Sequence, residues 1–395
     1  MEDSKIYNLD PLFDLQLGGY PIERVRNSAA EMSILFLTCC SSRDSLIIDI
    51  DVQESYPVYL ESRGITLPET ISRSVDQNIQ TKKAGVPWGW SPQSIDKLLG
   101  NGAVCDYPEL DIVKKINNRK FCNEIGIKYN LGVPGSRFCT TMDDVQEAVQ
   151  SMYGKFPLVV KPAFGGSGFG LRVISTPGEI SSQILHIENC FFHGGVIIEP
   201  WCQRLYELST NLYLGKNGKL IYMRHQRLFS NEYGSFFGIY IAPHDQYLEK
   251  WEDNLENSAL SVVEEIKKAG YYGPAGFDSF VYKTNDGSEH FASIIEINGR
   301  HVMSHIAYAV RDQIAIGKYC FLRMISKKRC KLPSTYELWE SHCGKSLSNV
   351  LLVTPLRIRH LNQWIQPSKN VFFIYADSEK ELFDTDKQLR DLLMN

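Results

Sequence analysis

No stretch of the 395-residue chain approaches the ~18 apolar residues that a membrane-spanning helix needs. The N-terminus, MEDSKIYNLDPLFDL, lacks the apolar core of a secretion signal. Basic residues are not in excess: 42 Lys and Arg stand against 46 Asp and Glu, and the formal charge of −4 argues against general nucleic-acid binding. The ten cysteines include no CxxC pair, only the neighbours Cys39 and Cys40, so neither a zinc site nor a disulfide framework is expected. Reduced thiols used as small core residues, in a cytoplasmic chain, fit this pattern. There is no internal repeat and no low-complexity segment. What remains is a globular chain long enough for roughly two to three domains.

Short apolar runs alternate with helical stretches in the first third, which predicts a small parallel-sheet α/β domain. Ser33–Cys39 (SILFLTC) and Ser45–Ile50 (SLIIDI) read as buried strands, and a helix is expected near Glu54–Ser62, ending at Gly64. Gly85–Gln93 (GVPWGWSPQ) is either a packed connector or a binding loop. Asp111–Ile125 reads as one helix stopped at Gly126, and Thr141 as the N-cap of the next. A further helix is expected near Pro177–Glu188 and a strand over Gly195–Glu199, after which strand signals dominate to about Ile241, with an Asn217-Gly218 hairpin turn. The tail offers a strand, NVFFIYA, and a charged amphipathic helix.

Residues 155–174, KFPLVVKPAFGGSGFGLRVI, pose a sharper question. A strand ends in Lys161, and Gly165-Gly166-Ser167-Gly168-Phe169-Gly170 follows. Glycines let a backbone approach a phosphate and adopt positive φ. The spacing matches neither the dinucleotide fingerprint nor the P-loop. Because Leu171–Ser175 alternates like a strand, the loop is expected at a hairpin tip, free to fold over a ligand or simply solvated. Lys161 can supply a point charge to the same phosphates.

Two runs, GFDSFVYK (276–283) and FASIIEIN (291–298), flank a polar turn. A hairpin with a three-residue loop at 286–288 would set Asn285 against Glu289, and hence Asp278 across from Glu296. Glu296 and Asn298 share a face, being two apart on one strand. Such an oxygen-rich patch suits Mg²⁺, which takes one or two carboxylates plus substrate phosphates; a solvated sheet edge is the alternative. Arg300 could reach a phosphate being transferred.

The ordered set of Lys161, the glycine loop, IIEPW at 197–201, Glu207, Asp278 and EINGR at 296–300 resembles the ATP-grasp superfamily. The resemblance covers about 113–325 and implies an α/β and α+β architecture. Residues 1–112 would form a preceding parallel-sheet domain, about 120–198 the glycine-loop lid, and 326–395 a segment completing the core or an interface. The implied cofactors are ATP and Mg²⁺, with Mn²⁺ as the alternative ion. Lys161, Gly165, Gly166, Ser167 and Gly168 would cover the triphosphate. Glu199, Trp201 and Cys202 would line the adenine site, and Glu207 would hold the ribose. Asp278, Glu296 and Asn298 would hold the metal, and Arg300 would stabilise the phosphoryl group. The upstream basic position falls on Arg119 or Lys120, with Arg119 preferred.

Arg224-His225-Gln226-Arg227 resembles the RHQK stretch of biotin carboxylases, but Ser304 stands where those enzymes place a glutamate. Amide formation through an acylphosphate therefore suits the chain better than bicarbonate activation, with small carboxylate and amine substrates as partners. Catalysis would rest on Lys161, Arg300 and the ion, without a protein nucleophile. Arg227 could bind a substrate carboxylate or the transferring phosphate, or be a surface ion pair. His301 and His305 read as structural. A silent ATP-binding module and a phosphotransferase are the alternatives, and a homodimer is left open.

Overall fold

The computed structural model describes residues 4–394 apart from 24, 26–29, 73–82, 167, 233, 285, 344–346 and 361–362. Among the described residues the first part holds the strands β1 (Lys5–Asn8), β2 (Ser45–Ile48), β3 (Asp51–Val52), β4 (Glu69–Ser72) and β5 (Ala84–Pro87). Four of them form a parallel sheet in the order β4-β2-β1-β5. Ile6, Leu46 and Ile47 are buried there, as a sheet covered on both faces requires. The expected strand Ser33–Cys39 is instead a 3₁₀ helix, with Ile34, Leu35 and Phe36 buried. A wholly apolar run has no period of its own, and here packing against the helix Met303–Ile314 decides the outcome.

The helix expected over Asp111–Ile125 is two helices, Leu110–Asn117 and Arg119–Tyr129. Asn118 is extended, and its side chain accepts from the Lys120 amide at 2.8 Å, capping the second helix. Gly126 lies inside that helix, which ends at Asn130 with φ +55°. A side chain at Gly126 would meet the Gly132 backbone at 3.1 Å, so this glycine serves close packing rather than termination.

A second sheet holds β6 (Arg137–Cys139), β7 (Leu158–Pro162), β8 (Arg172–Ile174) and β9 (Val196–Pro200) in the antiparallel order β6-β9-β7-β8. It has its own core, including Val145, Leu158, Val160 and Ile198. The strands β7 and β8 form the expected hairpin, and the glycine loop is its tip.

The largest sheet is antiparallel and eight-stranded. Its members are β10 (Gln203–Leu214), β11 (Leu220–Ser230), β12 (Phe236–Ile241), β13 (Gly273–Lys283), β14 (Glu289–Asn298) and β15 (Tyr319–Ser326), with two strands from the tail. The tail supplies β16 (Val350–Leu352), β17 (Ile358–His360), β18 (Gln363–Ile365) and β19 (Lys369–Ala376). The order is β14-β13-β10-β11-β12-β15-β19-β16, so β19 pairs along its whole length with β15. Strand β17 returns to pair with β3, joining the tail to the first part of the chain. The β10–β11 turn carries Gly218 at φ +75°, as the Asn-Gly pair predicts.

Candidate active site

Asp278 and Glu296 are directly paired across β13 and β14, with Gly276 facing Asn298 two positions on. The route to this pairing is not the one expected. Thr284 and Ser288 close the hairpin, and Lys283 faces Glu289, which by itself would slide Asp278 away from Glu296. An irregularity between Asp278 and Phe280 absorbs the offset. Such bulges re-aim side chains beside functional sites. Asn285, expected to face Glu289, lies outside the described residues.

Asp278, Glu296, Asn298 and Arg300 line one side of a cavity of about 600 Å³. Asp278 looks into it but is ringed by protein. Burial, and then the neighbouring Glu296 and Glu207 carboxylates, push its pKa up to about 7. Two carboxylates and a carboxamide on one face make a hard-oxygen donor set whose crowding a divalent cation would relieve. Among the described residues, no three His, Cys, Asp or Glu side chains are placed to hold an ion by themselves. The arrangement thus fits an ion completed by ligand oxygens.

Arg300 is buried and held from the first part of the chain. Its Nε donates to Asp14 Oδ1 at 3.0 Å and its Nη2 to Asp14 Oδ2 at 2.8 Å. Gly299 keeps this segment in place: Asn117 Oδ1 accepts from its amide at 2.9 Å, and an added Cβ would strike Ile116 Cδ1 at 2.2 Å. The glycine hairpin lies over the pair. A Cβ on Gly166 would meet Asp14 Oδ2 at 2.9 Å, and Phe169 packs edge-on to Tyr20 at 5.2 Å between ring centres. Gly165 (φ +145°) and Gly168 (φ +78°) adopt backbone angles that side chains oppose. Both Gly166 and Gly168 line the cavity; Ser167 lies outside the described residues.

Lys161, at the end of β7, also lines the cavity and forms a buried ion pair with Glu199 of β9. Glu199 itself lines an adjoining pocket with Ser136 and Cys122. Arg119 bridges the hairpin and the acidic side. It donates to the Pro162 carbonyl at 2.6 Å, to the Gly165 carbonyl at 2.8 Å and to Glu296 Oε1 at 2.5 Å. Lys120 points outward.

Glu207 stands where the large cavity meets a second one of about 490 Å³, which Trp201, Cys202 and Arg227 also line. Ser230 Oγ donates to Glu207 Oε2 at 2.6 Å, and Arg204 pairs with its other oxygen. The Arg204 guanidinium lies over Trp201 and Phe280, each 4.8 Å from the ring centre. Arg227 is buried and committed: Asp245 accepts from it at 2.6 Å and Glu379 at 2.8 Å, with Tyr240 beneath it at 4.2 Å. It does not line the cavity that Asp278 and Arg300 share. Burial drives His301 and His305 toward the neutral form; His301 Nδ1 lies 3.0 Å from the Pro87 carbonyl oxygen, and His305 Nδ1 accepts from the Val302 amide at 3.0 Å. None of the ten cysteines, all among the described residues, is joined in a disulfide.

Asp14, Arg204, Asn117 and Ser209, the last lining the cavity and hydrogen-bonded to Asp278, carry no signal in the sequence. Residues i and i+3 of a strand face opposite ways, so Arg204 gives no hint that it meets Glu207. An irregularity between Arg204 and Tyr206 turns them together. Asp14 is an ordinary acid on a five-residue helix, and its 286-residue separation from Arg300 leaves no local signal.

A glycine hairpin facing an acidic strand pair across one slot is the ATP-grasp arrangement. The chain belongs to the family described as the carbamoyl-phosphate synthase L chain, ATP binding domain, which residues 114–312 match. It is 25% identical over 284 residues to the [butirosin acyl-carrier protein]–L-glutamate ligase of Niallia circulans, covering 68% of this chain and 64% of that protein. It is 22% identical over 335 residues to the pyruvate carboxylase of Komagataella pastoris, covering 77% of this chain and 26% of that protein. The chain thus spans less than two thirds of the length of either relative. In fold it resembles the biotin carboxylase of Campylobacter jejuni crystallised with a βγ-ATP ligand, with a TM-score of 0.59 at 13% identity. That likeness covers 99% of this chain and 92% of the other. No helix among the described residues is long and apolar enough to cross a membrane.

Proposed function

We propose that this chain is an ATP-dependent ligase that activates a small-molecule carboxylate as an acylphosphate and joins it to an amine, releasing ADP and phosphate. The reading rests on one observation: Lys161 and the glycine hairpin face Asp278, Glu296, Asn298 and Arg300 around a single cavity. Lys161, Gly165, Gly166, Ser167 and Gly168 cover the triphosphate, with Arg119 anchoring the hairpin. Glu199, Trp201 and Cys202 border the base, and Glu207 takes the ribose hydroxyls. Asp278, Glu296 and Asn298 hold Mg²⁺, which when bound neutralises charge on the transferring phosphoryl group. The division at residues 1–112, 113–325 and 326–395 belongs to this reading, as does the freedom of the hairpin to open.

In the first step a carboxylate oxygen of the acid attacks the γ-phosphorus of ATP, and the β–γ bridging bond breaks to give ADP. Arg300, oriented by Asp14, donates toward the oxygens on which charge builds. The amine then adds to the acyl carbon, phosphate leaves, and the nitrogen loses a proton. No protein nucleophile takes part, so the work of the chain is positioning and charge stabilisation. Arg227, anchored by Asp245 and Glu379, orders the wall beside Glu207.

Incubation with ATP, Mg²⁺ and a panel of carboxylic acids, with hydroxylamine as the trapping amine, tests the reading. Acid-dependent ADP release with hydroxamate formation is expected. A phosphorylated product stable to hydroxylamine would identify a phosphotransferase instead. Nucleotide binding without ADP release for any acid would identify a silent module.

A further inference from the structure

The cavity does not end at the acidic wall. Part of its lining is apolar, and several of those side chains come from outside the matched residues 114–312: Leu12, Leu15 and Met32 from the first part of the chain, and Met324 from β15. Phe236 of β12 lines it as well. The exposed Lys369, the first residue of β19, also lines the cavity.

Lys369 differs from the other cations of the cavity. Arg119 pairs with Glu296, Arg204 with Glu207, Arg300 with Asp14 and Lys161 with Glu199. Lys369 has no ion-pair partner among the described residues. The acid next to its neighbour, Glu31, is taken by Ser368, whose amide and hydroxyl both donate to Glu31 Oε2, at 2.6 and 2.5 Å. The Lys369 side chain remains solvent-accessible, yet the surrounding walls hold its pKa below the ordinary lysine range by desolvation. An unpaired cation beside apolar walls gains most from an anion that arrives with its own apolar body.

We propose that the acid activated by this chain is an amphipathic one. Its reacting carboxylate lies at Arg300, its apolar body fills the compartment of Leu12, Leu15, Met32, Phe236 and Met324, and a second anionic group at its far end pairs with Lys369. The inference rests on the ligase reading for the identity of the reacting end. The binding half stands on the compartment and Lys369 alone. It also accounts for the position of the tail: residues 368–369 reach the cavity only because β19 is hydrogen-bonded beside β15.

The test uses straight-chain α,ω-dicarboxylates of increasing length and the monocarboxylates of the same lengths, with the full chain, ATP, Mg²⁺ and hydroxylamine. At the length that spans the compartment, the dicarboxylate should show a KM about tenfold or more below that of its monocarboxylate, the worth of one charge-assisted bond. Lys369→Ala should bring that ratio close to one, and Lys369→Arg should preserve it. Equal KM values at every length, or a ratio unchanged in Lys369→Ala, would overturn the inference while acid-dependent ADP release leaves the ligase reading standing. Calorimetric titration of the dicarboxylates without nucleotide separates the two further. Binding that Lys369→Ala abolishes supports the Lys369 subsite even if no acid yields ADP, and in that case the ligase reading alone fails.

Discussion

Asp14 grips Arg300 with both carboxylate oxygens, at 3.0 and 2.8 Å, across the junction between the first part of the chain and the large sheet. Both side chains are largely buried, at 16% and 10% exposure, so neither has water to fall back on. The contact therefore does two things: it holds the two parts together, and it fixes the direction of the guanidinium over the acidic wall. Asp14→Ala leaves a buried cation unpaired, and a loss of roughly 3 kcal/mol in unfolding free energy is expected from urea titration. Asp14→Asn keeps the shape but weakens the orientation. A lower kcat for ADP release with little change in nucleotide affinity would show the orienting role, whereas unchanged kcat would confine Asp14 to stability.

Glu296 accepts from Arg119 and stands opposite Asp278. Glu296→Gln retains an oxygen for Arg119 while removing the charge a cation needs. The variant should fold with an unchanged circular dichroism spectrum and lose ADP release by about a hundredfold or more, the scale of removing a group that acts on developing charge. Retained turnover would remove the metal assignment from this residue.

How much of this was legible in the sequence depends on the range of the interaction. The glycine hairpin, the Asn217-Gly218 turn and the Thr141 cap are local, and each appears where residue type and spacing put it. In the sequence the Asp278–Glu296 pairing follows from a loop register that the chain does not use; an irregularity restores it, and no residue pattern announces that. Ser33–Cys39 shows the complementary case, an apolar run whose geometry is decided by what packs on it. Asp14 and Lys369 reach the cavity from opposite ends of the chain, and only the assembled sheets reveal them.

Asn117 is the less obvious support of the site. It ends its helix, its Oδ1 accepts from the Gly299 amide at 2.9 Å, and its Nδ2 donates to the Val113 carbonyl at 2.8 Å. Asn117→Ala orphans a buried amide between Asn298 and Arg300, which should cost about 1–3 kcal/mol. Gly299→Ala should cost a similar amount by overpacking, because Ile116 is fully buried and has little room to yield. Urea titration measures both. The double variant should fall short of the sum, since both changes disturb the same helix-to-strand contact.

Asp278 makes the site pH-dependent in two opposite ways. Its pKa of about 7 in the folded chain lies above the ordinary carboxylate value of about 4. The folded chain therefore binds a proton that the unfolded chain has already lost. Without metal, this group's contribution is fully present below about pH 4 and is lost as pH rises to about 7, a change of at most ~4 kcal/mol. Solvent in the cavity and sharing with Glu296 reduce that figure. Comparing urea midpoints of the wild type and Asp278→Asn at several pH values isolates the effect from that of other carboxylates. Metal binding runs the other way, because the ion needs the ionised carboxylate. Below pH 7 the affinity for Mg²⁺ with ADP should weaken by up to about tenfold per unit, with a proton released for each ion bound. Calorimetry in buffers of different ionisation enthalpy reads that proton directly, and its absence at pH 6 would show that Asp278 is not a ligand.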